Sequence, residues 1–226
     1  DHVPDCIISR LSATTPEQVT YQVAKFVNYE QFPSSPADAS WYTKGVGIAS
    51  NQGNPTDFVR AGWLRDALLK AQFKSIDEIY DPSATKAKVA AAVNEGRSLI
   101  NYIGHGSNTS WGTTGFSNTE VGQLKNGWKL PLIWSVACVN GNFVNLECFC
   151  EAWMKAGDIE NPRGAITIFG ASTNQEWVPP CDVQKEIVTN YTVNELYKTA
   201  GGLAMNGIMK GLEIYGVDPK GSGVMM

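Results

Sequence analysis

The sequence SLINYIGHG at residues 98–106 decides the fold, because a mostly apolar run there leads straight into a Gly-His-Gly turn. A second run, LPLIWSVACVNG at residues 130–141, leads in the same way into Cys138 and an Asn-Gly turn. Short apolar runs bounded by turn residues are typical of the buried strands of parallel sheets. The two runs therefore predict two such strands, at residues 99–103 and 132–137, with His105 following the first and Cys138 following the second.

Strand and helix patterns alternate along the rest of the chain, which predicts βαβ units around a mostly parallel sheet. Further strands are predicted at residues 6–9, 46–50, 76–80 and 165–170. Helices are predicted after a capping box at residues 15–18 and at residues 57–72, 85–96, up to about 125, 149–156, 183–199 and 200–215. The predicted fold class is α/β, with a mostly parallel sheet covered by helices on both faces.

Two of these helices carry apolar residues at helical spacing, as an amphipathic helix does. In the first helix the apolar positions are Val19, Val23, Phe26 and Val27. In the second helix one face holds Trp63, Leu64, Ala67, Leu68 and Ala71.

Composition and charge argue against several classes of function. The 226 residues are 43% hydrophobic and 18% charged, as in ordinary globular proteins. The net charge of −4 and the scattered Lys and Arg residues argue against a nucleic-acid partner. No stretch reaches the roughly 18 apolar residues of a membrane span, and the N-terminus has no signal-peptide pattern. Five cysteines leave at least one thiol unpaired, and Cys148 and Cys150 are poorly spaced for zinc.

The predicted strand ends carry the parts of a thiol-based active site. His105 and the terminal His2 are the two histidines of the chain, so His105 is the candidate general base. Ligands gather at the carboxyl ends of the strands in an open parallel sheet, where both His105 and Cys138 are predicted to lie. Thiol catalysis needs a nucleophile, a base and donors for the oxyanion, and the N–H groups of Gly106 and Cys138 are candidate donors.

Simpler interpretations of the same residues remain open. A cysteine after a strand is most often a small buried apolar residue, and His105 between two glycines is compatible with a turn cap. A serine hydrolase that uses Ser107 or Ser135 is disfavoured, because neither lies in a Gly-x-Ser-x-Gly elbow.

Five blocks of the sequence resemble the gingipain family of cysteine peptidases, and its arginine-specific branch more than its lysine-specific branch. They are NYIGHGS (101–107), VACVNG (136–141), YDP (80–82), ASTNQEW (171–177) and GGLAMNG (201–207). The family belongs to the caspase-like group, so the resemblance implies a caspase-like three-layer α/β/α sandwich. It also implies that Cys138 is the nucleophile, that His105 is the acid/base, and that Gly106 and Cys138 form the oxyanion hole.

The resemblance further implies an endopeptidase that cleaves after a basic P1 residue, Arg first and Lys as the other candidate. By position, Asp57 matches the aspartate that receives the guanidinium, and Val136 and Trp177 match residues that line the same pocket. Arginine suits a planar carboxylate beside an aromatic face. The alternative for Asp57 is a helix cap, because it begins a predicted helix, and the alternative for Trp177 is a core anchor.

The resemblance extends to location and partners. Gingipains are secreted by bacteria and carry calcium in structural sites, whose ligands the sequence does not place here. No cofactor is expected for catalysis. The expected partners are protein or peptide substrates and the protein's own pro-segment. Residues 1–226 are expected to form a single caspase-like catalytic domain that lacks an upstream half-domain and a C-terminal segment of its relatives.

Gln52 departs from the family pattern. It stands near the position of the acidic residue that orients the histidine, and an amide can accept a hydrogen bond from Nδ1–H but adds no charge. Two alternatives to an arginine-specific peptidase therefore remain: a weak or inactive caspase-like domain that serves as a binding module or scaffold, and a sorting peptidase that trims secretion signals.

Overall fold

A five-stranded sheet, in which every neighbouring pair is parallel, lies at the centre of the computed structural model, which describes residues 6–194 and 199–216. The strands in chain order are β1 (Lys44–Ala49), β2 (Ser75–Tyr80), β3 (Leu99–Ile103), β4 (Gly106–Ser107), β5 (Ser110–Trp111), β6 (Phe116–Ser117), β7 (Leu132–Val136) and β8 (Thr167–Gly170). The central sheet has the order β2-β1-β3-β7-β8, and β4, β5 and β6 form a small antiparallel sheet of their own. The predicted parallel sheet is confirmed.

Helices cover both faces of the sheet, which confirms the predicted three-layer sandwich. They are α1 (Pro16–Gln31), α2 (Asp57–Ala71), α3 (Lys86–Glu95), α4 (Asn118–Gly122), α5 (Phe149–Lys155), α6 (Pro179–Thr189) and α7 (Ala200–Tyr215). Alternate residues of β3 point to opposite faces, so Ile100 and Ile103 belong to two different cores. The first core adds Val89 of α3 and Trp153 of α5, and the second adds Leu64 of α2, Ile187 of α6 and Leu203 of α7.

The register of β3 against β7 brings the two candidate catalytic residues to the same edge. Ile103 pairs with Val136 at the end of this ladder, and the N–H of Gly104 donates to the Val136 carbonyl at 3.1 Å. His105 and Cys138 each lie two residues beyond this last pair. Parallel strands end on the same side, so both residues leave the sheet at its carboxyl edge.

The segment that follows His105 is more ordered than its Gly/Ser/Thr/Asn-rich sequence indicates. It folds into the sheet of β4, β5 and β6, whose Trp111 and Phe116 are fully buried. The Trp111 ring stacks on Tyr102 of β3 at 4.7 Å between centroids. This packing fixes the hairpin of β4 and β5 against the central sheet.

Two predictions near the N-terminus are wrong. Residues 6–9 form no strand, because the segment runs along the outside of the molecule with Ile7 and Ile8 exposed. In α1 three of the four predicted apolar positions, Val19, Val23 and Val27, are exposed, and the fourth, Phe26, is half-buried. The helix instead buries Tyr21, Gln22 and Lys25, whose hydroxyl, amide nitrogen and amine donate to backbone carbonyls. Hydrogen bonding thus decides which face of α1 packs inward.

The predicted second helix packs as expected only in part, because Leu64 and Leu68 are buried while Trp63 is exposed. The helix predicted at residues 183–199 begins earlier, at Pro179, since proline is well tolerated in the first turn. It ends at Thr189 and passes into a π-helical turn at Asn190–Asn194. Residues 195–198, like His2, lie outside the described residues. Within the described ranges, no helix combines the length and the apolar character that a bilayer crossing requires.

Candidate active site

The cleft at the carboxyl edge of the sheet is small and lies between His105 and Cys138. Its volume is about 20 Å³, enough for about one water molecule. Its lining comes from the ends of β3 and β7 and from the segment after β8: Ile103, Gly104, His105, Val136, Ala137, Cys138, Gln175, Glu176 and Trp177. The structure therefore brings the predicted dyad, Val136 and Trp177 together around one opening.

The imidazole of His105 has two neighbours that fix its plane. Its Nε2 lies 3.0 Å from Oε1 of Gln52, on the loop after β1. The ring also meets Trp177 edge-on, at 4.9 Å between centroids. The Gln52 contact that the sequence predicts at Nδ1 is instead made at Nε2. With Nε2–H donating to Gln52, Nδ1 is left with a lone pair to accept a proton.

The thiol of Cys138 is partly exposed and contacts the backbone of the segment after β8. The N–H of Gln175 donates to Sγ at 3.4 Å, and Sγ lies 3.9 Å from the Gln175 carbonyl. Among the described residues no hydrogen bond joins Sγ to His105. Catalytic hydrogen bonds are often long before substrate binds and shorten in the complex.

Two backbone N–H groups near the cleft have no hydrogen-bond partner among the residues that the structure describes. The bond from Gly112 N–H to the His105 carbonyl makes Gly106 and Trp111 a non-hydrogen-bonded pair, which leaves the Gly106 N–H outside the ladder. Over the described residues, the Cys138 N–H has no partner either. A Cβ added to Gly106 would lie 2.5 Å from the Cys138 carbonyl oxygen, so only glycine permits this close approach.

Asp57 lies fully buried at the start of α2, behind the cleft. Its carboxylate accepts a hydrogen bond from the Ser50 hydroxyl at 2.5 Å and another from Nε1–H of Trp177 at 2.9 Å. Burial raises the pKa of this carboxyl above its ordinary value, although both hydrogen bonds oppose the shift. The helix-cap alternative is not supported, because Thr56 is the N-cap and the Asp57 carboxylate bonds across to other elements. Trp177 likewise contacts the site rather than a core.

Sequence reasoning missed two members of this site. Ser50 ends the apolar run of β1 and carried no signal beyond that position. Gln175 acts through its backbone N–H, which no residue type reveals. Ser135, the disfavoured serine nucleophile, is buried and bonded to Trp111 and Asn140.

The structure does not test the calcium prediction. Within residues 6–194 and 199–216, no group of three or more His, Cys, Asp or Glu side chains is placed to hold a metal ion. All five cysteines are free thiols, which agrees with the prediction that at least one is unpaired.

Comparison with known proteins agrees with this geometry. A profile of peptidase family C25 matches residues 1–218. Gingipain R2 of Porphyromonas gingivalis is 35% identical over 96% of this chain, and Lys-gingipain of the same organism is 27% identical over 78%. The chain spans 31% of the length of gingipain R2 and 10% of that of Lys-gingipain.

Solved structures give the same result for the fold. The crystal structure of the Arg-specific cysteine proteinase gingipain R superposes with a TM-score of 0.91 at 35% identity, over 95% of this chain and 52% of that one. A complex of gingipain pro- and mature domains superposes with a TM-score of 0.89 at 34% identity, over 96% of this chain and 53% of that one. By its match over nearly its whole length and by its fold, the chain belongs to peptidase family C25, the cysteine peptidase family of the gingipains.

Proposed function

We propose that this chain is the catalytic domain of a cysteine endopeptidase that cleaves after arginine. The observation that carries the proposal is the convergence of His105 and Cys138 at one cleft, with the buried carboxylate of Asp57 behind it. Family membership supports the reaction class. The arginine specificity named for gingipain R supports the choice of P1 residue.

The proposed chemistry follows from the positions of the groups. Sγ of Cys138 attacks the scissile carbonyl carbon while its proton passes to Nδ1 of His105. The oxyanion that forms accepts hydrogen bonds from the N–H groups of Gly106 and Cys138. His105 returns the proton to the leaving amine, and a water molecule then hydrolyses the thioester by the same route. Gln52 holds the ring through Nε2 and adds no charge.

The proposed S1 pocket is formed by Asp57, Trp177 and Val136. An incoming guanidinium offers planar donors that match a carboxylate and a flat face that stacks on an indole. In the present conformation Nε1–H of Trp177 occupies one oxygen of Asp57. An arginine side chain therefore displaces this contact when it binds.

The relatives of this chain also support a proposal about where the enzyme acts and what it binds. We propose that the protein is secreted or displayed at a bacterial cell surface, and that it acts on protein and peptide substrates. The solved complex of pro- and mature gingipain domains makes a pro-segment of the same polypeptide the proposed inhibitory partner. The same proposal includes bound structural calcium and a single caspase-like catalytic domain formed by residues 1–226.

A peptide assay tests the proposal. Fluorogenic peptides with Arg, Lys, Asp or Asn at P1 are offered to the calcium-supplied protein, and turnover is expected for Arg first. Cys138→Ala abolishes it, whereas Cys6→Ala, which removes an exposed thiol outside the cleft, leaves it intact. No turnover by well-folded protein, or turnover that survives Cys138→Ala, would contradict the proposal.

A labelling experiment separates an enzyme from an inactive binding module. A peptidyl arginyl chloromethyl ketone is expected to modify Cys138 faster in the folded protein than in a denatured control. Equal rates in the two samples would favour the binding module.

A further inference from the structure

Asn140 is fully buried two residues after Cys138, and its side chain joins three elements. Its Oδ1 accepts the hydroxyl of Ser135, on β7, at 2.9 Å. Its Nδ2 donates to the carbonyls of Ser107 and Ser110, on the hairpin of β4 and β5, at 2.7 and 3.1 Å. The Oδ1 of Asn140 is therefore bonded to β7, the strand that precedes Cys138. Its Nδ2 is bonded to the hairpin that follows His105.

This contact bridges a gap in the sheet. The ladder of β3 and β7 ends at Ile103 and Val136, so the two proposed oxyanion donors, Gly106 and Cys138, lie beyond its last pair. A Cβ on Gly106 would lie 3.0 Å from Nδ2 of Asn140, which places the amide directly beside one donor. The separation of the two donors thus depends on contacts outside the ladder.

The remaining partners of Asn140 keep it fixed. Ser135 also accepts Nε1–H of Trp111 at 2.9 Å, so its hydroxyl is oriented by a fully buried ring. The backbone carbonyl of Asn140 accepts the N–H of Cys150, in the first turn of α5, at 3.0 Å. A buried amide with its acceptor and both donors engaged has one orientation only.

We infer that Asn140 is a positioning residue that sets the geometry of the oxyanion hole by tying the β4–β5 hairpin to the turn after Cys138. It does not touch the reacting atoms. The inference rests on the proposed function, because the two N–H groups form an oxyanion hole only in an acyl-transfer enzyme. Misplacing an oxyanion donor lowers kcat and leaves substrate binding largely unchanged.

Asn140→Asp tests the inference, since it keeps the size and one acceptor but loses both donors to the hairpin. We expect kcat on a P1-Arg peptide to fall about 10- to 100-fold with KM within about twofold. Alkylation of Cys138 by iodoacetamide is a displacement that needs no oxyanion hole, so its rate is expected to change less than about twofold. Hydrogen exchange at residues 105–112 and 138–141 is expected to accelerate.

Asn126→Asp is the matched control. Asn126 is also buried, and it accepts from Gly164 and donates to Gly164 and Lys129. These partners precede β8 and β7, at the edge of the sheet opposite the cleft. Its substitution is expected to lower stability by a similar mechanism while leaving kcat and exchange at the cleft unchanged.

The outcomes separate the inference from the proposed function. Unchanged kcat in Asn140→Asp, or alkylation that falls in parallel with kcat, would overturn the inference. If Asn140→Asp does not fold, Ser135→Ala decides by the same readouts, with a smaller loss of kcat expected. A wild-type chain without peptidase activity would overturn the proposed function, and the exchange data would then still decide whether Asn140 fixes the hairpin.

Discussion

Asp57 is a carboxylate that the fold buries and then supplies with two neutral donors instead of a cation. Ser50 and Trp177 satisfy its oxygens, and burial still raises its pKa. A raised pKa means that ionised Asp57 costs folding stability above its ordinary titration range, and that this cost disappears as the pH falls. Arg60 and His105 lower the pKa of Asp57 by electrostatic attraction, but they do not offset the effect of burial.

Asp57→Asn is therefore expected to separate specificity from stability. Loss of the charge removes the partner of a P1 guanidinium, and we expect kcat/KM for P1-Arg peptides to fall by about 100-fold or more. The thermal midpoint at neutral pH is expected to stay equal or rise, because the substitution removes a carboxylate charge whose burial outweighs the interactions that stabilise it. Peptide kinetics and calorimetry on the same sample check both. A parallel fall in stability and activity would mean that Asp57 is structural.

Gln52 predicts a distinct pH response. Gln52→Glu places a negative charge 3.0 Å from the His105 ring and so stabilises the protonated ring. We expect the acidic limb of the kcat/KM profile, which reports protonation of the general base His105, to move up by about one pH unit. Gln52→Ala, which removes the hydrogen bond without adding charge, is expected to lower kcat without moving the limb. An unmoved limb in Gln52→Glu would contradict a role for Gln52 in orienting the ring.

At the scale of elements, α1 is attached to the molecule by a buried amine. Lys25 is 0% exposed, and its Nζ donates to the carbonyls of Met154 at 2.8 Å and Trp153 at 3.5 Å, at the end of α5. Burial lowers the pKa of this amine to about 7. The side chain thus caps the last carbonyls of α5 while joining it to α1.

This cap predicts how stability depends on pH. Between about pH 7 and pH 10.5 the unfolded chain binds the Lys25 proton and the folded chain does not, so the free energy of unfolding rises with pH in this window. The slope from one such group is at most about 1.4 kcal/mol per pH unit. Lys25→Met is expected to remove it, and Lys70→Met, at an exposed position, to keep it. Urea unfolding at pH 7, 8 and 9 measures the difference; equal slopes in wild type and Lys25→Met would contradict the prediction.

The elements that the sequence predicted well are those with an unambiguous signal, such as a continuous apolar run or a helix-capping residue. The apolar run of β3 predicts its bounds, Leu99–Ile103, and Thr85 predicts the start of α3 because its hydroxyl accepts the Lys88 N–H. The two-residue strands β4, β5 and β6 are too short to show any period. In α1 the valines predicted the buried face wrongly, because Lys25 and Gln22 gain backbone partners by turning inward.

The candidate site was also predictable only in part from the sequence. His105 and Cys138 follow from a general rule, that side chains at the carboxyl ends of neighbouring parallel strands converge. The contact of Gln175 with Sγ is made by the backbone and leaves no trace in the residue type. The bond between Trp177 and Asp57 joins residues 120 positions apart, and only the tertiary fold brings them together.

At the scale of the whole molecule, strand order explains where the cleft lies. From β1 the chain continues first to β2 on one side and then to β3 on the other, so the order of the sheet reverses beside β1. Such a reversal leaves a crevice at the carboxyl ends of β1 and β3, adjacent to the cleft between the ends of β3 and β7. Gln52 follows β1, His105 follows β3 and Cys138 follows β7, so three successive neighbours in the sheet each contribute one side chain.

The five free thiols have a practical consequence for handling the protein. No covalent cross-link restrains the unfolded chain, so a millimolar reductant such as dithiothreitol removes nothing that keeps the two cores packed. The same reagent protects Cys138 from oxidation to sulfenic acid and beyond. Storage and purification under strongly reducing buffers therefore preserve the reactive sulfur without weakening the architecture that presents it.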